Sequence, residues 1–324
     1  MTRHSRFLRT PVEPFVVEPG LTAQEIVARM ERISFQGRNL TTALRIWHRM
    51  LEDDVTIFLG MAGALSAGGL RLIVAHLITN RYVDCLLATG ANLYHDLHET
   101  RGLRHYIGSA HADDRALAEQ RIDRVYDTFA SEQEFIDNDN LTSAYRANVS
   151  IFCPAIADSS IGMGLSQARQ KVPGTGHIDT IGDIVESANL VVRRPRTASV
   201  VLGGTPKNFI NQASVQAEFY SSEVTGHRYA VQVVTDVAHF GGASGSSLEE
   251  AQSWGKLGSD SPRVTVHADA TIALPLLASA LVGADPRVVE TRRKPAFSVA
   301  SRLMTIDDLS VPSDHFEEVH DSAV

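Results

Sequence analysis

Lys256 follows Glu250 and Trp254 in the segment EEAQSWGKLG (residues 249–258), which begins one residue after the glycine-rich stretch FGGASGSS. A helix would place Glu250 and Trp254, four residues apart, on one face. A lysine beside an indole ring loses hydration, which lowers its pKa and makes the neutral, nucleophilic amine more accessible. A nearby carboxylate is suited to hold the ammonium group of a second, cationic molecule. The alternative is a solvated lysine, a core tryptophan and a carboxylate that only caps the helix.

The residues around this triplet predict a short helix that ends just before the lysine. Ser246 or Ser247 can cap the N-terminus of the helix, and Glu249 or Glu250 can complete a capping box. Gly255 can end the helix, because glycine adopts the left-handed backbone conformation common at helix C-termini. The lysine would then lie in a constrained turn.

Six apolar, β-branched runs alternate with helical patterns along the chain. The runs are DVTIFL, YVDCLLATG, ANVSIFCPAI, TASVVLGG, YAVQVVTD and RVTVHAD. Continuous apolar strands between amphipathic helices predict a Rossmann-like, doubly wound α/β fold with a mostly parallel sheet and helices on both faces. We expect one domain over residues 1–324, with an N-terminal helical segment over 1–50 and a peripheral acidic tail over 307–324.

The composition excludes several classes of function. With 38 acidic residues against 30 Lys and Arg, and no basic run longer than RRPR, nucleic acid is not an expected partner. Cys85 and Cys153 lie in apolar runs, which indicates reduced thiols and a cytoplasmic protein. The apolar stretch 58–78 contains Arg71, His76 and several glycines, so we interpret it as a strand, a turn and a helix and expect no membrane association.

Several predicted strands end in glycine or a small polar residue. In open parallel sheets, ligands bind outside the carboxyl ends of the strands, where backbone N–H groups are available. This pattern favours a nucleotide pocket, although no turn matches G-x-G-x-x-G or a P-loop. Glycines at strand ends can also serve only to make tight turns. The strand-end residues are Gly60 to Gly63, Thr89, Gly90, Gly203, Gly204, Thr235, Asp236, Asp269 and Ala270.

Taken together, the segment EEAQSWGKLG and four further blocks resemble the deoxyhypusine synthase family, in which the lysine of SWGK is the covalent nucleophile. The other blocks are FLGMAGALSAGGLRLIVAHLITNRYVDCLLATGANLYHDL, CPAIADSSIG, VVLGGTPKNFINQA and VTVHADATIALPLL, and the resemblance covers roughly residues 50–285. It implies an NAD-dependent transfer of a 4-aminobutyl group from a polyamine such as spermidine, carried as an imine on Lys256. It also implies a homotetramer with active sites at subunit interfaces.

The resemblance also implies a set of site residues. Lys256 is the nucleophile, Glu250 anchors an amine and Trp254 lines the polyamine channel. Further substrate contacts are Asn208, Gln212, His239, Gly241 and Gly242. The residues expected to bind NAD are Gly63, Ser66, Ala67, Thr89, Gly90, His95, Asp158, Gly204, Thr235, Asp236, Asp269 and Ala270.

The chain departs from the pattern of the protein-modifying members. Asn208 replaces a histidine, and Asn cannot act as a general base. Several carboxylates that would hold a trication are missing, and each charge-assisted hydrogen bond contributes about 1.5–3 kcal/mol. Asp96, Asp236 and His239 either compensate in part or serve only as a helix cap, a turn residue and a loop residue. The other departures are Gln212, Met163, Phe240, Ala243, Tyr94 and His95.

These departures resemble the bacterial deoxyhypusine synthase-like branch, whose members are linked to small-molecule acceptors. The first hypothesis is therefore transfer to a small amine such as putrescine, which gives homospermidine. Transfer to a lysine of a translation initiation factor is the second. The third is a catalytically silent NAD-binding homologue.

Two other features invite an interpretation. The histidines at 95, 98, 105 and 111 cluster near Asp96, but zinc needs a further ligand and an ordered second shell, so we expect no metal site. The stretch QKVPGTGHIDTIGDI (170–184) is predicted to be a glycine-rich loop that enters a helix and acts as a mobile lid.

Overall fold

The computed structural model of the protein describes residues 8–100, 102–131, 144, 146–174, 178–194, 196–284, 286–300 and 303–309. Its strands are β1 (Thr56–Met61), β2 (Cys85–Ala88), β3 (Tyr106–Ile107), β4 (Ile122–Val125), β5 (Thr128–Ser131), β6 (Ser150–Phe152), β7 (Thr197–Leu202), β8 (Tyr229–Val233), β9 (Arg263–Val266), β10 (Lys294–Ala300) and β11 (Leu303–Leu309). Its α-helices are α1 (Ala23–Arg29), α2 (Phe35–Glu52), α3 (Arg71–Thr79), α4 (Gly90–Thr100), α5 (Asp114–Glu119), α6 (Ser160–Lys171), α7 (Thr180–Arg193), α8 (Thr205–Glu218), α9 (Ala270–Val282) and α10 (Arg287–Thr291).

The six predicted strands form one sheet in the order β6-β2-β1-β7-β8-β9, and every neighbouring pair is parallel. Counted along the chain within this sheet, the order is 3-2-1-4-5-6, which is the Rossmann order. β2 and β6 are added on one side of β1, and β7, β8 and β9 are added on the other side. The switch point of the sheet therefore lies between β1 and β7. The predicted fold class is confirmed, and the central sheet is entirely parallel.

Helices cover both faces of the sheet because alternate strand residues pack in opposite directions. Ile57, Leu59 and Met61 belong to a cluster with residues of α1, α2, α3 and α9. Phe58 and Val201 belong to a second cluster with residues of α7 and α8. All six residues of β1 and of β7 are buried, which explains why their sequences read as continuous apolar runs.

The apolar stretch 58–78 is divided as predicted. It contains the end of β1, a turn that includes the π-helical segment Ser66–Leu70, and most of α3. Among the described residues, no helix combines the length and apolar character needed to cross a bilayer.

Two smaller sheets were not predicted. β3, β5 and β4 form an antiparallel sheet between α4 and β6, and β10 pairs with β11 in an antiparallel hairpin. The first residues of the expected acidic tail, 307–309, are part of β11, and residues 310–324 lie outside the described residues. The loop predicted within 170–184 follows α6 and leads into α7, as expected, and residues 175–177 lie outside the description.

A buried ion cluster connects the strands to the C-terminal segment. Asp84, just before β2, is fully buried and accepts hydrogen bonds from Arg81 Nη2 at 3.1 Å, from Arg292 Nη1 at 3.1 Å and from the Ile57 backbone N–H at 2.9 Å. Arg292 also donates to the Val55 carbonyl at 2.9 Å. One carboxylate therefore holds β1, the start of β2 and the segment before β10 together.

His227, just before β8, is also completely buried. Its Nε2 lies 2.9 Å from the Ile210 carbonyl oxygen, which can only accept, so Nε2 carries the hydrogen. Nδ1 then accepts from the Thr197 hydroxyl at 2.6 Å. Burial, partly offset by the bond to Ile210, lowers the pKa of His227 to about 4.

We therefore expect the free energy of unfolding to fall as the pH drops from about 6.5 towards about 4. The folded-state pKa is below the unfolded value of 6.5, so the contribution of His227 is complete above pH 6.5 and is lost in this window. For one such site the loss is about 3 kcal/mol. Urea unfolding at a series of pH values should show a shallower pH slope for His227→Gln, which cannot titrate. Equal slopes for the two proteins would contradict the assignment.

Candidate active site

A cavity of about 670 Å³ lies at the carboxyl ends of β1, β7, β8 and β9, across the switch point of the sheet. In this fold the switch point is where ligands bind. The cavity wall brings together nine residues that the sequence predicted for the cofactor or substrate site. They are Gly63, Ala67, Gly204, Thr235, Asp236, Gly241, Gly242, Asp269 and Ala270.

The backbone around this cavity fits a dinucleotide. Gly63 has φ +74°, and a Cβ atom built there would meet nothing within 4 Å, so the turn after β1 leaves room for a ligand to approach the main chain. Helix α8 begins at Thr205, and no side chain caps its N-terminus at Gly204. The N-terminal N–H groups of a helix favour an anion, as in the pyrophosphate sites of this fold. The residues present therefore suit the NAD that the sequence implied.

Asn92, which sequence reasoning missed, fixes the shape of the turn after β1. Its Nδ2 donates to the Gly63 carbonyl at 2.7 Å and to Thr89 Oγ1 at 3.1 Å. Its Oδ1 accepts from the Ser66 backbone N–H at 3.1 Å. Asn92 is buried inside α4, and a buried, fully bonded amide holds a loop in one conformation. No spacing in the sequence marks this role.

Five predicted cofactor residues lie outside the cavity wall. Ser66 is buried behind it, with its hydroxyl 3.4 Å from Asn92 Oδ1. Gly90, after β2, packs against the loop after β6, where its N–H donates to the Ala155 carbonyl at 3.2 Å. One of the other three residues also follows β2, one lies between β6 and α6, and the third, His95, is in α4. The remaining members are Thr89 and Asp158.

The lysine segment forms the predicted turn, with a 3₁₀ helix over Glu250–Trp254. Of the capping alternatives, Ser247 and Glu250 form the box: the Ser247 N–H donates to Glu250 Oε2 at 2.7 Å, and the Glu250 N–H donates to Ser247 Oγ at 3.2 Å. Gly255 ends the helix in the left-handed conformation, φ +69°. Lys256 Nζ lies 5.6 Å from the centroid of the Trp254 ring. Glu250 therefore does cap the helix, with Oε2 engaged there.

The interpretation of Trp254 as a core residue is wrong, because 68% of its surface is exposed. Lys256 is half-buried, and its main chain is anchored from two sides: its carbonyl accepts from the His227 N–H at 3.0 Å and from Ser214 Oγ at 3.2 Å. The side chain is therefore presented from a fixed backbone beside an open indole face.

Lys207, in α8, is a second lysine of the site that sequence reasoning did not single out. It is buried, and its Nζ donates to the Ala243 carbonyl at 2.6 Å, to Ser246 Oγ at 3.0 Å and to the Ser246 carbonyl. Burial first, and then the charge of Lys256, lower its pKa, whereas Glu250 acts in the opposite direction. Lys207 thus fixes the loop before the lysine segment and lies within electrostatic reach of both charged residues.

A second cavity, of about 450 Å³, adjoins the first. Val234, Asp236 and Ala243 line both cavities, whereas His239 and Glu250 line only the second. The predicted amine anchor and the predicted nucleotide site therefore meet at a common border. Asp236 is exposed in this region, so its carboxylate is available to a ligand.

The replaced family positions have mixed surroundings. Asn208 is half-buried and Gln212 is exposed, both on α8. Phe240 and Met163, where the resemblance implied carboxylates, are exposed apolar side chains. Asp96 does not cap a helix, as one interpretation had it, because it is buried within α4 with Oδ1 at 3.9 Å from Arg71 Nη1.

Three of the four predicted histidines lie together, with the ring centroids of His95 and His98 at 5.0 and 4.8 Å from that of His105, whereas His111 is exposed in a turn. Glu99 Oε1 lies 2.7 Å from His105 Nδ1, and His105 Nε2 lies 3.0 Å from His95 Nδ1. Burial, with the neighbouring histidines, lowers the pKa of His95 to about 4, which keeps its ring neutral at pH 7. Among the residues that the structure describes, no three His, Cys, Asp or Glu side chains are placed to hold a metal ion.

The two cysteines do not provide a nucleophile. Cys85 is buried in β2 and Cys153 follows β6, and both are free thiols. Burial raises the pKa of both thiols, so the reactive thiolate is disfavoured.

Fold and site define a Rossmann-like α/β protein with a glycine-lined crevice at the switch point of its sheet and a half-buried lysine on a braced turn. The sequence matches the deoxyhypusine synthase family profile over residues 25–143 and 140–281. The chain belongs to the deoxyhypusine synthase family, as its motifs indicated.

Its relatives include archaeal and bacterial proteins. It is 44% identical over 290 residues to "Probable deoxyhypusine synthase 2" of Archaeoglobus fulgidus, covering 78% of this chain and 96% of the relative. It is 36% identical over 299 residues to the "Deoxyhypusine synthase-like protein" of Coxiella burnetii, covering 79% and 85%. A crystal structure described as a "putative deoxyhypusine synthase" from Entamoeba histolytica superposes with a TM-score of 0.53 at 16% identity, covering 84% of this chain and 97% of that one, which shows a shared fold.

Proposed function

We propose that the protein is a cytoplasmic, NAD-dependent transferase that moves a 4-aminobutyl group from a spermidine-like polyamine, through an imine on Lys256, to a small amine such as putrescine. The observation that carries the proposal is the placement of Lys256 Nζ 5.6 Å from the centroid of the Trp254 ring, on a braced turn. Neither residue lines either cavity, but Glu250 of the same segment lines the second cavity, which adjoins the glycine-lined one. Family membership supports the same chemistry.

Each residue has a distinct part in this scheme. Bound NAD would supply hydride abstraction from the donor and hydride return at the end. The Lys256 amine would add to the activated carbon and expel the diamine, so that one C–N bond forms as another breaks. Trp254 would form an apolar wall for the methylene chain. Glu250 would hold an ammonium group in the second cavity, and Asp236 would hold one at the border of the two cavities.

The choice of a small acceptor is supported by the side chains that replace the family carboxylates. Phe240 and Met163 are exposed and apolar. Fewer carboxylates therefore remain to bind the ammonium groups of a polyamine and of a protein lysine at the same time. The second candidate, transfer to a protein lysine, is favoured by the names of relatives such as the "Probable deoxyhypusine synthase 2" of Archaeoglobus fulgidus.

Incubation with NAD and spermidine, with and without putrescine, tests the proposal. Chromatography of the polyamines should show homospermidine only when NAD and putrescine are both present. Label from spermidine found only on an added initiation factor would favour the second candidate. Absence of both products, with NAD bound, would contradict transfer altogether and leave a silent homologue.

The proposal extends to a homotetramer with active sites at subunit interfaces. Trp254, Phe240 and Phe219 are exposed by 68%, 84% and 78%, and large exposed apolar side chains near a site commonly mark an interface. Analytical ultracentrifugation should give about four times the chain mass of 35.3 kDa. A monomer at micromolar concentration would contradict this assembly.

A further inference from the structure

The tip of the β4–β5 hairpin forms part of the wall of the larger cavity. Val125, Tyr126, Asp127 and Thr128 line it, whereas the rest of the described wall comes from the segments that follow β1, β7, β8 and β9. The hairpin belongs to the small antiparallel sheet inserted between α4 and β6. A part of the chain outside the Rossmann sheet is thus brought to the nucleotide-type site.

The tip is held in place. Asp127 contributes its carbonyl to the Gly108 N–H at 2.7 Å, and the Tyr126 carbonyl accepts from Arg124 Nη1 at 2.9 Å. Arg124 in turn donates from Nη2 to Asp114 Oδ2 at 2.7 Å, in α5. Both carbonyls of the two-residue turn therefore have partners in neighbouring elements, so the tip does not depend on the tyrosine ring for its position.

Tyr126 adopts an unfavourable backbone conformation while its side chain stays exposed. Its φ is +55°, a region that a bulky non-glycine residue rarely adopts, and 73% of its surface is accessible. Asn-Gly or Asp-Gly is the favoured sequence for a two-residue hairpin turn of this kind. Such strain at a ligand cavity points to a function for the side chain.

The position of the tip indicates which end of a dinucleotide it would meet. The second cavity, which contains Glu250, adjoins the first at Val234, Asp236 and Ala243, and the hairpin tip is not part of it. Lys256 itself lines neither cavity, but Glu250 of its segment lines the second one, so aminobutyl chemistry on Lys256 would place the nicotinamide on the side of the second cavity. The adenine half of the dinucleotide would then extend along the cavity away from it, towards the tip.

We infer that Tyr126 stacks on the adenine ring of the bound dinucleotide and closes that end of the cavity. This inference rests on the proposed function. An aromatic side chain at a cavity rim offers a flat face to a purine, and loss of one such stacking partner corresponds to roughly tenfold weaker binding.

Isothermal titration of NAD, ADP-ribose and nicotinamide mononucleotide into wild type and Tyr126→Gly tests the inference. We expect both adenine-containing ligands to bind roughly tenfold more weakly to the variant, with nicotinamide mononucleotide unaffected. Glycine adopts φ +55° without strain, so the variant should melt at the same or a higher temperature. A loss of affinity without loss of stability separates stacking from a structural role.

Two further variants sharpen the comparison. Tyr126→Phe keeps the ring and should bind NAD as wild type does. Tyr106→Ala removes an exposed tyrosine of the same small sheet, outside the cavity wall, and should also leave binding unchanged. If wild type binds NAD and Tyr126→Gly binds it equally well, the inference is overturned and the proposed function stands. Weaker binding of NAD with unchanged ADP-ribose would overturn the adenine assignment, and no NAD binding by wild type would overturn both proposals.

Discussion

Replacing Lys256 with alanine should lower aminobutyl transfer by at least about a thousandfold, while NAD binds within about twofold of its wild-type affinity. The reason is geometric. The Lys256 main chain, not its side chain, is bonded to His227 and Ser214, so the turn should keep its conformation without the amine. Lys256 also lies outside the wall of the larger cavity, so the nucleotide site loses no contact.

Borohydride reduction in the presence of NAD and spermidine provides the measurement. Wild type should gain mass on the peptide that contains residue 256, and Lys256→Ala should gain none. Lys256→Arg is the matched control, because it keeps a positive charge near the Trp254 ring but cannot form the imine. Mass gain at Lys207 instead would show that Lys207, not Lys256, is the nucleophile. Wild-type turnover by Lys256→Arg would contradict the covalent mechanism.

Lys207 shows why the sequence alone could not give the whole site. A lysine in an amphipathic helix is usually solvated, and nothing in GGTPKNFI distinguishes a buried one. Its role depends on the loop at Ala243–Gly245, where Ala243 and Ser244 have positive φ and bring carbonyl groups to its ammonium. Contacts between residues almost 40 positions apart follow from the sheet order, which no local pattern encodes.

The central sheet was predictable because burial on both faces leaves a strong signal. The runs TIFLGM and TASVVL are apolar throughout, and they form β1 and β7 at the middle of the sheet. The small sheet over 106–131 has partly exposed strands of mixed polarity, and its β4–β5 turn lacks the glycine that marks most hairpins. A strained turn at Tyr126 could be seen only in the structure.

The residues around Lys256 were predictable for a different reason. A capping box and a left-handed glycine are local features, so spacing predicted the cap, its glutamate partner and Gly255. It left two candidates each for the cap and the glutamate, and the structure selects Ser247 and Glu250. The burial of Trp254 could not be predicted in this way. A tryptophan in a core and an exposed tryptophan that contacts a ligand or a second subunit have the same local sequence pattern.

Asp84→Asn should lower the free energy of unfolding by about 3–5 kcal/mol at pH 7. The substitution leaves the buried guanidinium groups of Arg81 and Arg292 without a counter-charge, although the shape of the side chain is nearly kept. Asp54→Asn is the matched control: Asp54 also pairs with two arginines, Arg194 and Arg293, but it is more than one-third exposed. A solvated pair contributes less than about 1 kcal/mol, so the control should lose little.

Urea unfolding of both variants measures the loss in free energy of unfolding. The loss caused by Asp84→Asn should depend on pH. Burial raises the pKa of Asp84, but Arg292 and Arg81 outweigh burial and bring it below the usual range. The contribution of this carboxylate is therefore complete above the unfolded pKa, about 3.9, and is lost as the pH falls through the lower folded value. Because Arg292 connects the segment before β10 to β1, Asp84→Asn should also expose that segment to proteolysis before the sheet unfolds. Equal losses for Asp84→Asn and Asp54→Asn would show that burial does not determine the strength of this cluster.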